Sequence, residues 1–342
     1  MREDDRVRAL RAWLTTALPD PGAGAGTALS SASADASFRR YFRVARGAET
    51  WIAMDAPPPR EDCRPFVSVA ALLREAGLNA PQVLAQDLEQ GFLLLTDLGT
   101  QTYLAALTVG DADAATADRL FRDALEALIV WQRSTREGVL PVYDAALLER
   151  ELALFPEWYI ARHLGITLTA AERDALAQVE ARLVAAALAQ PRVFVHRDYM
   201  PRNLMVCAPN PGVLDFQDAV LGPITYDVVS LFRDAFLSWE EARVLDWTAR
   251  YWERARTRGL PVHADFGAFY RDFEWMGLQR HLKVLGIFAR LNYRDGKPDY
   301  LADTPRFIAY ARAVAQRYND LAPLARLLDR LEARVPTTGY TF

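Results

Sequence analysis

The sequence predicts an α+β protein with a small, β-rich N-terminal lobe and a larger, mainly helical C-terminal lobe. Three observations predict it. Strand-like runs alternate with turn formers as far as Thr96; beyond Gly99 apolar residues recur almost throughout at helical spacing; and one hairpin, Val193–Phe216, interrupts those helices with a polar turn. The 342 residues, 51% of them hydrophobic, suffice for one large or two modest cores. The boundary falls after Asp97, giving lobes 1–97 and 98–342.

In chain order, residues 6–18 form an amphipathic helix with Val7, Leu10, Leu14 and Ala17 on one face, and Pro19–Gly26 is a flexible break. The small-residue segment Ser30–Ser37 reads as a turn whose backbone N–H groups can approach phosphate oxygens, with Ser33 in its middle. Taken alone, a Ser/Ala loop is more often a solvated connection. A strand Phe38–Val44, a turn at Gly47 and Ala48 and a returning strand Thr50–Asp55 follow. Asp62 caps a helix that carries Pro65 in its first turn and closes at Gly77, and further strands centre on Val83 and Phe92–Thr96. Helices are predicted over Ala114–Arg133, over Ala145–His163 with a break at Pro156, from a Thr169 cap to Leu188, and over most of the chain after Asp227.

The hairpin carries the chemistry. Val193–Val195 is a buried strand that delivers the chain into His196–Arg202; Pro209–Gly212 turns it, and Val213–Phe216 returns. Folding it about that turn brings Asn203 beside Asp215. An amide oxygen and a carboxylate are hard donors that suit Mg²⁺ carrying nucleotide phosphates, and Asp198 is left to accept a proton. The order H-R-D-x-x-x-x-N followed by D-F is that of kinase catalytic and metal-binding loops. Any one of these acids alone would read as a turn residue. His196 reads as a core histidine that fixes the loop.

A net charge of −4 argues against nucleic acid or an anionic membrane as partner. Cys63 and Cys207 are distant in sequence and read as reduced thiols, as in the cytoplasm. The start, MREDDRVRALRAWL, lacks a signal-peptide pattern, and no stretch is apolar enough to span a bilayer.

With HRDYMPRNLM, GVLDFQDAVLGPITYDVVSLFRDAF and RHLKVLGIFARL in view, the chain resembles the aminoglycoside phosphotransferase and choline kinase superfamily over nearly its whole length. Within it the combination looks most like the anomeric kinases of N-acetylmuramate and N-acetylglucosamine in peptidoglycan recycling. The resemblance implies a bilobal protein-kinase-like fold, ATP with Mg²⁺ and a small amino-sugar substrate. It makes Asp198 the catalytic base, Asn203 and Asp215 the Mg²⁺ ligands, Leu95, Thr96, Asp97 and Leu98 the adenine hinge, and Asp227 a brace for the catalytic loop. A monomer is expected.

The small lobe departs from that pattern. Where a kinase places lysine the chain has Met54, and its only lysines are Lys283 and Lys297. With the turn at Gly47 and Ala48, Tyr41 faces Met54, so Arg39 or Arg43 is the substitute cation; a one-residue slip selects Arg40, and all three can equally be solvated strand residues. For the acceptor, Arg280, Lys283, Arg290 and Arg294 share one helical face that would repel a polycationic antibiotic and accept a lactyl carboxylate. The same stripe can instead pair with acids on a neighbouring helix. Trp158 offers a ring to stack on a sugar or a piece of core. Two other functions stay open: a kinase of aminoglycoside or choline-like acceptors, and a nucleotide-binding pseudokinase, which Met54 motivates.

Overall fold

The computed structural model describes residues 4–18, 27–34, 38–58, 60–108 and 114–333. They resolve into two compact units, one drawn from the described residues within 1–134 and 201–219 and the other from those within 135–200 and 220–342. Pro19–Gly26, expected as a break, lies outside the described residues.

In the first unit, β1 (Ala28–Ala34), β2 (Arg40–Arg46), β3 (Glu49–Asp55), β4 (Val83–Asp87) and β5 (Phe92–Thr96) form an antiparallel sheet in the order β1-β2-β3-β5-β4. The β2–β3 hairpin takes the predicted register: Gly47, at φ 62°, supplies the left-handed turn, and Tyr41 stands opposite Met54. The turn predicted over Ser30–Ser37 is strand as far as Ala34, with Ser30 opposite Arg43 and Ser33 opposite Tyr41; residues 35–37 are not described. Small polar residues suffice there because β1 is an edge strand, held by backbone ladder bonds to β2. Helix α1 (Asp5–Ala17) buries Leu10 and Leu14 against Val44, Trp51, Ala53, Phe92 and Leu94, the core beneath the sheet. Asp55, fully buried, is gripped by Arg6 from α1 and Arg40 from β2. Helix α2 (Arg64–Glu75) starts one residue after Cys63 and has Pro in its first turn, with Asp62 Oδ1 accepting the Arg64 N–H at 3.0 Å. Helices α3 (Tyr103–Thr108) and α4 (Ala114–Arg133) complete this part of the unit.

The second unit contains α5 (Ala145–Leu152), α6 (Ala170–Ala189), α7 (Tyr226–Phe232), α8 (Glu241–Thr257), the long α9 (Phe266–Asp295), α10 (Thr304–Arg317) and α11 (Ala322–Ala333). Beyond α5 the chain widens into a π-helical stretch, Phe155–His163, with Pro156 in its first turn. Thr169 and Glu172 form the capping box that starts α6. Strand β6 (Arg192–Val195) pairs antiparallel with β9 (Val220–Pro223). Between them the chain joins the first unit, where β7 (Leu204–Met205) pairs with β8 (Gly212–Val213). Among the described residues no helix is long and apolar enough to cross a membrane.

Candidate active site

The catalytic-loop candidates of the second unit are held from below by a buried acid. Val193, Phe194 and Val195 are buried on β6, and the ladder with β9 delivers His196 to the head of α7. There Asp227, in the first turn of α7 and fully buried, accepts the N–H of His196 at 2.7 Å and that of Arg197 at 3.0 Å. Burial pushes the Asp227 carboxyl up to about 7; the two N–H donors work against that rise. Arg197 adopts φ 76°, which turns the chain so that Asp198 follows at a half-buried position, its N–H lying 3.3 Å from His196 Nδ1. His196 is 1% exposed, and its ring meets that of Tyr199 edge-on at 5.6 Å.

The metal-ligand candidates lie together in the first unit. Asn203 closes a 3₁₀ turn, Pro201–Asn203, and runs into β7; Asp215 follows β8 with φ 61°. The Leu214 N–H donates to the Asn203 carbonyl at 2.9 Å, so the two side chains emerge side by side, with Asn203 Nδ2 3.3 Å from Asp215 Oδ2. Arg197 and Asp215 are the two non-glycine residues at positive φ among those described. Such conformations cost about 1–3 kcal/mol each and persist where surrounding structure fixes them. Gln217 Nε2 donates to Asp215 Oδ1 at 3.0 Å, and Arg39 Nη2 stands 3.7 Å from the same oxygen. Phe216 packs against Phe66 of α2 at 4.7 Å, which anchors the turn. The donor set fits Mg²⁺: a carboxylate and an amide oxygen are hard donors that suit an ion taking its remaining ligands from phosphates and water.

The other nucleotide candidates divide. Arg43 is committed to Asp97, Nε to Oδ2 at 2.6 Å, and to the Gly99 carbonyl at 2.7 Å. Arg40 is committed to Asp55 and Asp4. Arg39 alone of the three reaches the Asn203–Asp215 pair. Leu95 is buried in β5, Thr96 Oγ1 accepts the Gln82 N–H at 2.9 Å, and Asp97 and Leu98 are half-buried at the strand's exit. Ser33 stands in the β1 ladder rather than in a loop.

The cationic stripe also divides. All four residues belong to α9, yet Arg280 is 3% exposed, and Lys283, half-buried, is held in an ion pair with Glu151 of α5 at 2.8 Å. Arg290 is half-buried, and Arg294 is exposed and paired with Asp295. The reading in which the stripe meets acids on a neighbouring helix therefore describes Lys283. Trp158 is half-buried in the π-helical stretch.

Two residues at these sites were not singled out from the sequence. Gln217 had a signal, its position two residues after Asp215. Glu151 had none, because a glutamate on an amphipathic helix ordinarily faces water.

Residues 28–266 match the family described as "Phosphotransferase enzyme family". The chain is 53% identical over 336 residues to an N-acetylmuramate/N-acetylglucosamine kinase of Pseudomonas putida, covering 96% of this chain and 98% of that one. It is 54% identical over 337 residues to a protein of the same name from Pseudomonas aeruginosa, covering 97% and 98%. Among solved structures it is similar to a choline kinase from Streptococcus pneumoniae, with TM-score 0.64, 12% identity and coverage of 91% of this chain and 100% of that one. It is also similar to an ADP-bound aminoglycoside phosphotransferase, with TM-score 0.60, 13% identity and coverage of 88% and 97%.

Proposed function

Because the chain belongs to the phosphotransferase enzyme family, we propose that it uses ATP to phosphorylate the anomeric hydroxyl of N-acetylmuramate or N-acetylglucosamine, giving the sugar 1-phosphate for cell-wall recycling. The observation that carries the acceptor is the near-full-length likeness to the two Pseudomonas amino-sugar kinases. Residues 1–97 act as the nucleotide-binding lobe and 98–342 as the catalytic and substrate-binding lobe. ATP and a small sugar are the partners of a cytoplasmic monomer.

In this reading, the sugar O1 attacks the γ-phosphorus, the bond to the bridging oxygen of ADP breaks, and the O1 proton passes to the Asp198 carboxylate. An anomeric hydroxyl is more acidic than an ordinary alcohol, so a carboxylate is a sufficient base. Asp227 holds the loop beneath Asp198 through the His196 and Arg197 N–H groups. Asn203 and Asp215 would hold Mg²⁺, which when bound supplies positive charge against the phosphates. Arg39 provides the protein's own cation beside Asp215, in place of the lysine that Met54 displaces.

The test is ADP release from MgATP with N-acetylmuramate, N-acetylglucosamine, kanamycin and choline in parallel, with Asp198→Asn as control. Turnover with the N-acetyl sugars alone, yielding an acid-labile 1-phosphate and lost in the control, is expected. Turnover with only kanamycin or choline would overturn the substrate, and silence with all four would favour a pseudokinase.

A further inference from the structure

Glu151 is 6% exposed, and around its carboxylate four side chains of the second unit converge. Arg197 Nη2 reaches Oε1 at 2.5 Å and Lys283 Nζ reaches the same oxygen at 2.8 Å. The Tyr143 hydroxyl donates to Oε2, and Gln279 Nε2 lies 3.3 Å from it. Lys283 also meets the Tyr226 hydroxyl at 3.1 Å, while the Arg197 guanidinium lies over the Tyr143 ring at 5.7 Å. Burial would raise the Glu151 carboxyl, but Lys283 and Arg197 outweigh it and hold its pKa below the ordinary value. Burial opposes the charge on Lys283 too, and Tyr226 and Glu151 outweigh it, so its pKa is raised.

Taking three charges out of water costs several kcal/mol per ion in effective terms, and packing alone would be served as well by apolar side chains. What the cluster adds is a grip on one residue. Arg197 occupies a left-handed conformation that a side-chain-bearing residue keeps only when its surroundings fix it. Asp227 fixes its backbone N–H and Glu151 fixes its guanidinium, so the residue is held at both ends immediately before Asp198. The cluster also contains two cations against one carboxylate, and both cations interact electrostatically with Asp198.

We propose that Glu151 is a positioning residue, which clamps the Arg197 guanidinium, with Lys283 completing the charge, and thereby fixes the direction in which Asp198 presents its carboxylate. The inference rests on the reading of Asp198 as the base. Kinase loops elsewhere become ordered when an added phosphate pairs with arginine. Here the anion is part of the fold, so the loop is set without modification.

The experiment compares the full-length wild type with Glu151→Gln, Glu151→Asp and Lys283→Met by steady-state kinetics and by amide hydrogen exchange of the peptide spanning His196–Met200. In Glu151→Gln, kcat is expected to fall about 10- to 100-fold, the loss of one charge-assisted contact expressed as a rate, with KM for ATP and sugar within about twofold. Glu151→Asp, which keeps the charge but retracts it by one methylene, regains part of kcat; if the Gln variant does not fold, the Asp variant carries the test with a smaller loss. Exchange of the His196–Met200 peptide quickens at least about tenfold while that of α8 is unchanged, the scale expected when a local opening loses about 1.4 kcal/mol. Unchanged exchange with unchanged kcat overturns the proposal. So does a raised sugar KM at full kcat in Lys283→Met, which would make the ammonium a substrate contact. Failure of the functional reading shows separately, as a wild type silent with every acceptor, and the exchange measurement then still decides whether Glu151 orders the loop.

Discussion

Arg39 holds its guanidinium 3.7 Å from the Asp215 carboxylate, with 11% of its side chain exposed. Arg40 and Arg43, its neighbours in sequence, are taken up by Asp55 and Asp97. An arginine poised beside the metal-ligand candidate, in a chain without a small-lobe lysine, is the cation expected to neutralise the nucleotide phosphates. Arg39→Ala should lower kcat/KM for ATP about 10- to 100-fold, the worth of one charge-assisted contact, and Arg39→Lys should restore most of it. Titration of ATP at saturating sugar reads both. An Arg39→Ala enzyme with unaltered ATP kinetics would remove Arg39 from the site.

The Asn203–Asp215 pair predicts a split between metal and fold. Asn203→Ala removes one candidate oxygen donor from a residue tied to its neighbours by the backbone, so the Tm should hold while the Mg²⁺ concentration for half-maximal rate rises several-fold. Asp215→Asn, which removes the only carboxylate of the pair, should cost about 10²–10³ in kcat. A Mg²⁺ titration of both variants checks this, and an unshifted Asn203→Ala midpoint would deny that side chain a metal role.

His281 is wholly buried on α9, tilted against the rings of Phe307 and Tyr310, with Arg233 and Arg280 close by. Burial, then the two guanidinium groups, holds its pKa well below the ordinary 6.5. The unfolded chain therefore takes up the proton first, and the stability that depends on a neutral ring is full above 6.5 and is lost as pH falls from there through the ring's lower native value. Melting curves at pH 8, 6.5 and 5 (about one and a half units either side of that value) should show the wild type losing more Tm toward acid than His281→Gln, which does not titrate. Parallel profiles would show that the ring's protonation is not what limits acid stability.

Gly286 of α9 packs against Leu154, the residue just before the π-helical stretch. A Cβ there would stand 2.4 Å from the Leu154 carbonyl carbon and 2.5 Å from its oxygen, against backbone that cannot rotate away. Gly286→Ala should therefore destabilise by about 1–3 kcal/mol, read as a lower denaturant midpoint, although alanine is the better helix former. A midpoint at or above the wild-type value would mean that the two helices can part without loss.

The legible parts of the fold were those with a local rule behind them. The Gly47–Ala48 turn pins the β2–β3 register, so Tyr41 opposite Met54 followed from counting residues, and Thr169 announced the start of α6. The Asn203–Asp215 contact followed in the same way from a hairpin, although the observed strands are only two residues long. What stayed hidden has no local signature. Apart from Leu29, strand β1 is built from Ser and Ala, which carry no strand preference, and is specified by its partner instead. Periodicity placed Arg280, Lys283, Arg290 and Arg294 on one face of a helix but could not say that the face passes from core to solvent along its length. The left-handed turns at Arg197 and Asp215 are invisible because neither residue is glycine.

The backward φ of Arg197 makes two positions far apart in the chain depend on one another. Glycine at 197 would relax the backbone and leave the guanidinium's place empty, at which point the buried carboxylate at 151 would keep only Lys283 as a charged partner. Arginine at 197 with no acid at 151 would strand a cation in the interior. Positions 151 and 197 should thus change as a pair among related chains, and an alignment in which they drift independently would show that each is tolerated without the other.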